Sequence, residues 1–196
     1  METLKNLVKA FIGESQARNR YSFYAKKAKQ EGYEQVAEIF LITAEQEKEH
    51  AKVLYELINE LKEKSKESLE ELKVEVTAPL KFASTKENLK AAIEGETYEY
   101  SEMYPAFAEQ AEKEGFNDIA TRLKAIAQAE KHHAARFEKL LKRIEQGFFK
   151  RNEEVEWICR KCGYLHKAKE APATCPSCNH PKAYFCLLYT SPSPRD

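Results

Sequence analysis

Two short stretches, Glu47-Lys48-Glu49-His50 and Glu130-Lys131-His132-His133, constrain this chain more than any other feature. In a helix, Glu-x-x-His puts a carboxylate and an imidazole on one face, one turn apart. Both pairs fall on apolar seams, at positions where Leu or Ile would otherwise sit. The seam of one helix reads Val36, Phe40, Thr43, Glu47, His50, Leu54, Leu57, Leu61; that of another reads Ile119, Leu123, Ile126, Glu130, His133, Phe137, Leu140, Ile144. Such stripes mark helices that bury one face. A buried carboxylate must be paired or must bind a metal.

Two further seams carry one glutamate each. Residues 4–30 read as a helix through Leu4, Leu7, Phe11, Glu14, Arg18, Tyr21, Ala25 and Ala28. A third helix starts near Thr85, taken as its N-cap, and runs through Leu89, Ile93, Glu96, Glu99 or Tyr100, Met103 and Phe107. Gly32 and Gly115 join the helices into two tight pairs, and a stretch of weaker pattern, residues 65–84, connects the pairs. Its length lets it run the length of a bundle, as the crossover of a ferritin-like four-helix bundle does.

The halves look duplicated. Gly13-Glu14 recurs as Gly95-Glu96, and Glu31-Gly32-Tyr33 recurs as Glu114-Gly115-Phe116. From each glycine there are 15 residues to the glutamate of Glu-x-x-His, but Glu14 to Glu47 spans 33 and Glu96 to Glu130 spans 34. The extra residue therefore lies in the third helix, where a π-bulge would absorb it, with Pro105 sharing in the distortion.

In such a bundle Glu14, Glu47, His50, Glu96, Glu130 and His133 converge at one level, matching the ligand pattern of di-metal carboxylate bundles. Two divalent cations balance four glutamates. The oxygen-rich set suits iron or manganese better than zinc. One Glu-x-x-His in a chain with 33% charged residues reads as surface decoration; two in register on apolar seams do not. Glu99 faces the same site, with Ala17 in its place in the first half; it is a fifth carboxylate suited to bind once the metals carry more charge. Tyr21 and Tyr104 are read as hydroxyl donors that orient carboxylates, with core packing as the bland alternative. Arg18 is left open between a buried ion pair and a side chain that reaches for water. His132, Glu45, Glu49 and Glu102 are read as surface residues.

All five cysteines lie between Cys159 and Cys186. Cys159-x-x-Cys162 and Cys175-x-x-Cys178 form two knuckles that specify a four-thiolate site; spacing alone leaves iron and zinc open. Zero net charge gives no case for nucleic acid, and no apolar run reaches the ~20 residues of a membrane span. Residues 1–9 lack a signal-peptide layout, so a cytoplasmic protein is expected.

Gly13-Glu-Ser-Gln-Ala-Arg-Asn-Arg-Tyr21, Glu47-Lys-Glu-His50, Glu96-Thr-Tyr-Glu99-Tyr-Ser-Glu-Met-Tyr104-Pro and the double knuckle resemble the rubrerythrin family over about residues 1–185. The resemblance implies a ferritin-like di-iron bundle (1–148) followed by a β-rich rubredoxin-like domain (149–186) with one iron on Cys159, Cys162, Cys175 and Cys178. It implies reduction of hydrogen peroxide to water, fed by a reductase or rubredoxin-type donor, in a homodimer where one subunit's thiolate iron serves the other's di-iron site. It also implies that Glu99 and His50 exchange as ligands of one iron. Residues 187–196 depart from the family pattern and are read as a non-native tail, with Cys186 outside the ligand set. Two other classes remain as alternatives: an iron-oxidising storage protein, and a zinc-ribbon interaction protein.

Overall fold

The computed structural model describes residues 1–65 and 70–188. Helix α1 (Glu2–Gln30) pairs with α2 (Glu34–Ser65); α3 (Thr85–Tyr98), a π-helical turn (Glu99–Met103) and α4 (Tyr104–Lys113) continue as one rod that packs along α5 (Asn117–Glu145). The bundle therefore has four helices. A three-stranded antiparallel sheet follows, in the order β2 (Leu165–Glu170), β1 (Lys150–Cys159), β3 (Phe185–Leu187).

Gly32 and Gly115 make the two tight joints. Each sits at positive φ, +80° and +86°, which a side chain would resist. The amides that follow reach back in the same way, Tyr33 N–H to the Ala28 carbonyl at 2.9 Å and Phe116 N–H to the Ala111 carbonyl at 2.8 Å. The crossover then spans the bundle. Leu72 packs in the apolar cluster of Leu4, Leu54 and Leu123 at one end. At the other end Lys81 accepts a hydrogen bond from Tyr24, and Phe82 stacks on the same ring. A second apolar cluster, around Phe40, Leu89 and Phe137, fills that end.

Two expectations are corrected. The N-cap of α3 is Ser84, not Thr85: Ser84 and Glu87 form a reciprocal capping box. Thr85 instead gives its backbone N–H to the Glu31 carboxylate at 2.9 Å. On α1 the expected seam holds at Leu4, Leu7, Glu14, Tyr21, Ala25 and Ala28, but the buried stripe is broader than one seam and is not centred on Phe11 and Arg18. Ala10 and Ala17 are buried where Phe11 and Arg18 were expected. The Arg18 side chain is 42% exposed and lies 3.9 Å from Glu45, which settles its open reading in favour of solvent.

The π turn lies in the third helix, before Gly115, as expected, and falls between Glu96 and Tyr104. Tyr104 N–H donates to the Glu99 carbonyl, a step of five, and Pro105 follows with no N–H to place. The bulge re-phases the rod, so that Tyr104, Ala108 and Ala111 are buried after it.

The duplication also explains how the halves lock together. Glu31, at the first joint, caps α3 of the second half. Glu114, at the second joint, caps α1 of the first half, accepting from Glu2 N–H and Thr3 N–H at 3.0 Å each. Although burial opposes it, these donors hold the Glu114 carboxyl down at about 2. A depressed carboxylate stabilises the fold above its ordinary pKa and loses that contribution as pH falls. Glu114→Gln is thus expected to lose about 1 kcal/mol at neutral pH, the usual worth of an N-terminal cap. The deficit should shrink between pH 4.5 and 2; urea melts across that window check it, and a pH-independent deficit would contradict the assignment.

In the sheet, Trp157 is fully buried and its indole N–H donates to the Ala168 carbonyl at 3.0 Å. Strand β3 carries on through Cys186 to Leu187: Cys186 pairs with Ile158, and Leu187 pairs with Trp157 and is buried. Residues 189–196 of the expected tail lie outside the described residues.

Candidate metal centre

Between the two apolar clusters the seams become polar. Glu14 on α1, Glu47 on α2, Glu96 on α3, and Glu130 and His133 on α5 are each 2% exposed or less, and His50 is partly exposed at the edge of the cluster. They form two overlapping groups whose ligand atoms all lie within 4.8 Å of one another: Glu14, Glu47, His50, Glu130, and Glu47, Glu96, Glu130, His133. The two shared members are the glutamates of the Glu-x-x-His pairs.

Each shared carboxylate turns one oxygen to each histidine. Glu130 Oε1 lies 2.7 Å from His50 Nδ1, and its Oε2 lies 2.7 Å from His133 Nδ1. Glu47 repeats this at 3.1 Å, with Oε2 toward His50 and Oε1 toward His133. Two cations seated beside the two histidines could share both carboxylates.

Their polar atoms support this fit. Glu14 Oε2, Glu47 Oε1, Glu96 Oε2, both Glu130 oxygens and His133 Nδ1 are buried without an aligned hydrogen bond among the described residues. They are close, yet do not point at one another as donor and acceptor would. Buried polar groups are seldom left so. Without cations the cluster has to hold protons instead. Burial and the neighbouring carboxylates raise Glu14, and burial above all pushes Glu96 up to about 8. Burial works against a charge on either imidazole, but Glu130 and Glu47 outweigh it, lifting His50 to about 9 and His133 to about 12. Metal loading must displace such protons.

The terminal glutamates are held across the halves. Tyr21, from the first half, donates to Glu96 of the second; Tyr104, from the second, donates to Glu14 of the first. Burial, with these carboxylates adding to it, raises both phenols well above their ordinary pKa, so they keep their protons as donors. The π turn makes this reciprocity possible. Tyr21 is seven residues after Glu14 and Tyr104 eight after Glu96, and the bulge takes up the difference.

Glu99 opens the π turn and stands outside both four-residue groups, although its charge is felt at Glu14. His132, Glu45, Glu49 and Glu102 are exposed. Sequence reading missed Arg136, a half-buried cation one turn past His133 that donates to Thr43 Oγ1 at 2.5 Å and Gln46 Oε1 at 2.9 Å. Its place three residues after His133 was the available signal.

The four expected cysteines also come together. Each knuckle has the same hydrogen bonds. Gly163 N–H returns to the Cys159 carbonyl and Asn179 N–H to the Cys175 carbonyl, both at 2.8 Å, with Gly163 and Asn179 at positive φ. Across the knuckles Cys159 Sγ is 3.7 Å from Cys178 Sγ, and Cys162 Sγ is 3.6 Å from Cys175 Sγ. A tetrahedron with metal–sulfur bonds of ~2.3 Å has edges of about 3.8 Å, so one ion fits. Cys162 is exposed, and the Tyr164 backbone N–H does most to draw its thiol down to about 6. Cys186 is not in the group.

Comparison with known proteins agrees with this geometry. The family model described as Rubrerythrin matches residues 5–141, and the one described as the rubredoxin-like domain of rubrerythrin matches residues 157–186. A rubrerythrin of Porphyromonas gingivalis is 49% identical, covering 97% of this chain and 92% of its own. A rubrerythrin of Nitratidesulfovibrio vulgaris is 44% identical over 95% and 94%. Among solved structures, one titled as the fully reduced, all-ferrous state of nigerythrin is 34% identical, with a TM-score of 0.63, covering 94% of this chain and 86% of that one.

Proposed function

The chain belongs to the rubrerythrin family, and from that premise we propose that it is a di-iron peroxidase that reduces hydrogen peroxide to water. The observation that carries this reading is the presence, in one chain, of a two-cation carboxylate centre and a four-thiolate site. Iron at the first centre is supported by its oxygen-rich donor set and by the all-ferrous relative. Two ferrous ions held there would supply the two electrons that one peroxide bond needs, and an iron on Cys159, Cys162, Cys175 and Cys178 would be able to return them one at a time.

The chain's own residues supply the rest. Glu47 and Glu130 hold both ion positions at a fixed separation. Tyr21 and Tyr104 keep Glu96 and Glu14 aimed inward. The apolar clusters at either end exclude bulk water, while the His50 side chain, 16% exposed, opens onto a surface groove with Leu41, Gln46 and Glu49. Of the six residues of the centre, His50 is the one that lines this groove, which makes it the proposed edge for entry of peroxide and protons.

The thiolate site sits well away from that edge within one chain. Arg160, between the first two cysteines, pairs with Glu38 on α2, twelve residues before His50, or about 18 Å along the helix. Electron transfer falls off exponentially with distance. This favours a homodimer in which one subunit's knuckles serve the other's centre, with a reductase or rubredoxin-type protein as the outside donor. Residues 1–148 then carry the chemistry and 149–186 the relay. Among the described residues no helix is long and apolar enough to cross a membrane, and cytoplasmic peroxide defence is the proposed setting. Iron storage needs no fused relay, and a purely structural zinc ribbon leaves the bundle centre unexplained.

Glu99 gives the first test. Four glutamates balance two ferrous ions, so a fifth gains most when both are ferric, as an alternate to the neutral His50. The Glu99→Ala protein should still bind two ferrous ions, while its di-iron reduction potential rises and peroxide turnover falls. The reduced parent should consume one peroxide per pair under argon. An unchanged potential and turnover would make Glu99 a bystander, and failure of the parent to consume peroxide would remove the proposed activity.

A further inference from the structure

We propose that Arg136 makes the two metal positions unequal, holding a fixed positive charge against the His133 position so that the His50 position binds its ion first. The inference rests on the two-cation reading of the bundle centre.

The duplicated halves should give two equivalent positions, and the two four-residue groups are matched, with Glu99, which has Ala17 in its place in the first half, standing outside both. The surroundings break the symmetry. A shift of 83 residues carries Gly32 onto Gly115 and Glu47 onto Glu130, and by the same shift Arg136 corresponds to Val53. His50 is thus followed one turn later by an apolar side chain packed in the core, and His133 by a guanidinium. The other members of the network are also unmatched: Thr43 corresponds to Ile126, and Gln46 to Ala129.

The guanidinium is held, not free. Its Nη2 donates to Thr43 Oγ1 and Gln46 Oε1; Thr43, fully buried, in turn donates to the Ile39 carbonyl at 2.9 Å. Among the described residues no carboxylate lies within 4.0 Å of it, and its buried Nε–H has no acceptor. An arginine stays charged under these conditions. Its charge therefore has no contact partner and is balanced at longer range, where Glu47 and Glu96 feel it. Glu96 belongs only to the His133 group, and Glu47 is shared. The other arginine felt in this region, Arg20, acts on Glu99, outside both groups. Part of the negative charge at the His133 position is thus already answered before any metal arrives, and a dication there meets a stronger repulsion than one at the His50 position. Even at the effective dielectric of partly buried sites this is worth about tenfold or more in affinity. Arg136 is in this sense a positioning residue for charge, with no contact to a ligand atom.

The test uses the full-length chain with its four-cysteine site filled, and Mn²⁺ as probe, since manganese prefers carboxylates to thiolates. Crystals with one equivalent of Mn²⁺ are read by anomalous scattering. In the parent, occupancy at the His50 position should exceed that at the His133 position by about tenfold. Arg136→Met should bring the two occupancies close together. Arg136→Lys, which keeps the charge, and Thr43→Val, which removes only a hydrogen bond, should both retain the preference. Equal occupancy in the parent, or filling of the His133 position first, overturns the proposal whether or not the variants fold. Loss of the preference in Arg136→Lys as complete as in Arg136→Met would make shape the cause and overturn it too. Absence of Mn²⁺ from both positions would instead defeat the two-cation reading beneath it.

Discussion

A Glu130→Ala protein is expected to lose both irons of the bundle together. Glu130 turns Oε1 to His50 and Oε2 to His133, so truncating it, as a ligand shared by both positions, would weaken each. It also unbalances the charge, since three glutamates then face two dications. Residues that merely hydrogen-bond to a ligand cost 10–100-fold in metal affinity when removed, so a shared ligand should cost more than about 100-fold at each position. Glu47→Ala should behave alike, because Glu47 spans the same two positions. Glu49→Ala, on the exposed side of the same helix, is the control and should keep both ions. Metal content after gel filtration decides the matter. A Glu130→Ala protein with the parent stoichiometry would show that the ligand assignment is wrong. Loss of one ion only would show that Glu130 does not span the pair.

Cys162→Ser should separate the two halves of the proposed reaction. The bundle centre lies apart from the knuckles, and its six ligands come from α1, α2, α3 and α5 alone. A chemically reduced variant is therefore expected to consume one peroxide per di-iron pair at the parent rate. Sustained turnover with a protein donor should fall by orders of magnitude, because Cys162 is the exposed thiol of the group and its loss breaks the tetrahedron at the face a donor would meet. Stopped-flow peroxide consumption, run once with a prereduced sample and once with a donor present, separates these outcomes. Donor-driven turnover at the parent rate would assign the knuckles a structural role.

Much of this was legible in the sequence because the signals were of the strongest kind. Ionisable residues at Glu47, His50, Glu130 and His133 interrupt otherwise apolar seams, and burial of such groups leaves few choices besides metal. The 33-against-34 count located the π turn because helical register is unforgiving. Cap and seam details were less legible. Ser84 and Thr85 are both good caps, and the choice turned on Glu87 and on Glu31, which is distant in sequence. Arg18 and Phe11 fell at the edge of the buried stripe of α1 because the small neighbours Ala17 and Ala10 take the positions that face the other helices. The exchange of Tyr21 and Tyr104 between halves, and the contact of Arg136 with Thr43, are tertiary facts. They depend on which helices face each other, and periodicity within one helix carries no record of that.

The central claim is that one chain joins a two-iron peroxide centre to a thiolate iron that feeds it. It is tested most directly by visible absorption of the full-length protein during a single oxidation. Ferric iron on four thiolates is red, and its ferrous form and zinc are colourless. Three irons per chain are expected, with a colourless protein after anaerobic reduction and return of the red band once more than one peroxide per di-iron pair has been added. A protein that holds zinc at Cys159, Cys162, Cys175 and Cys178, or whose red band stays bleached while further peroxide is consumed, would contradict this claim.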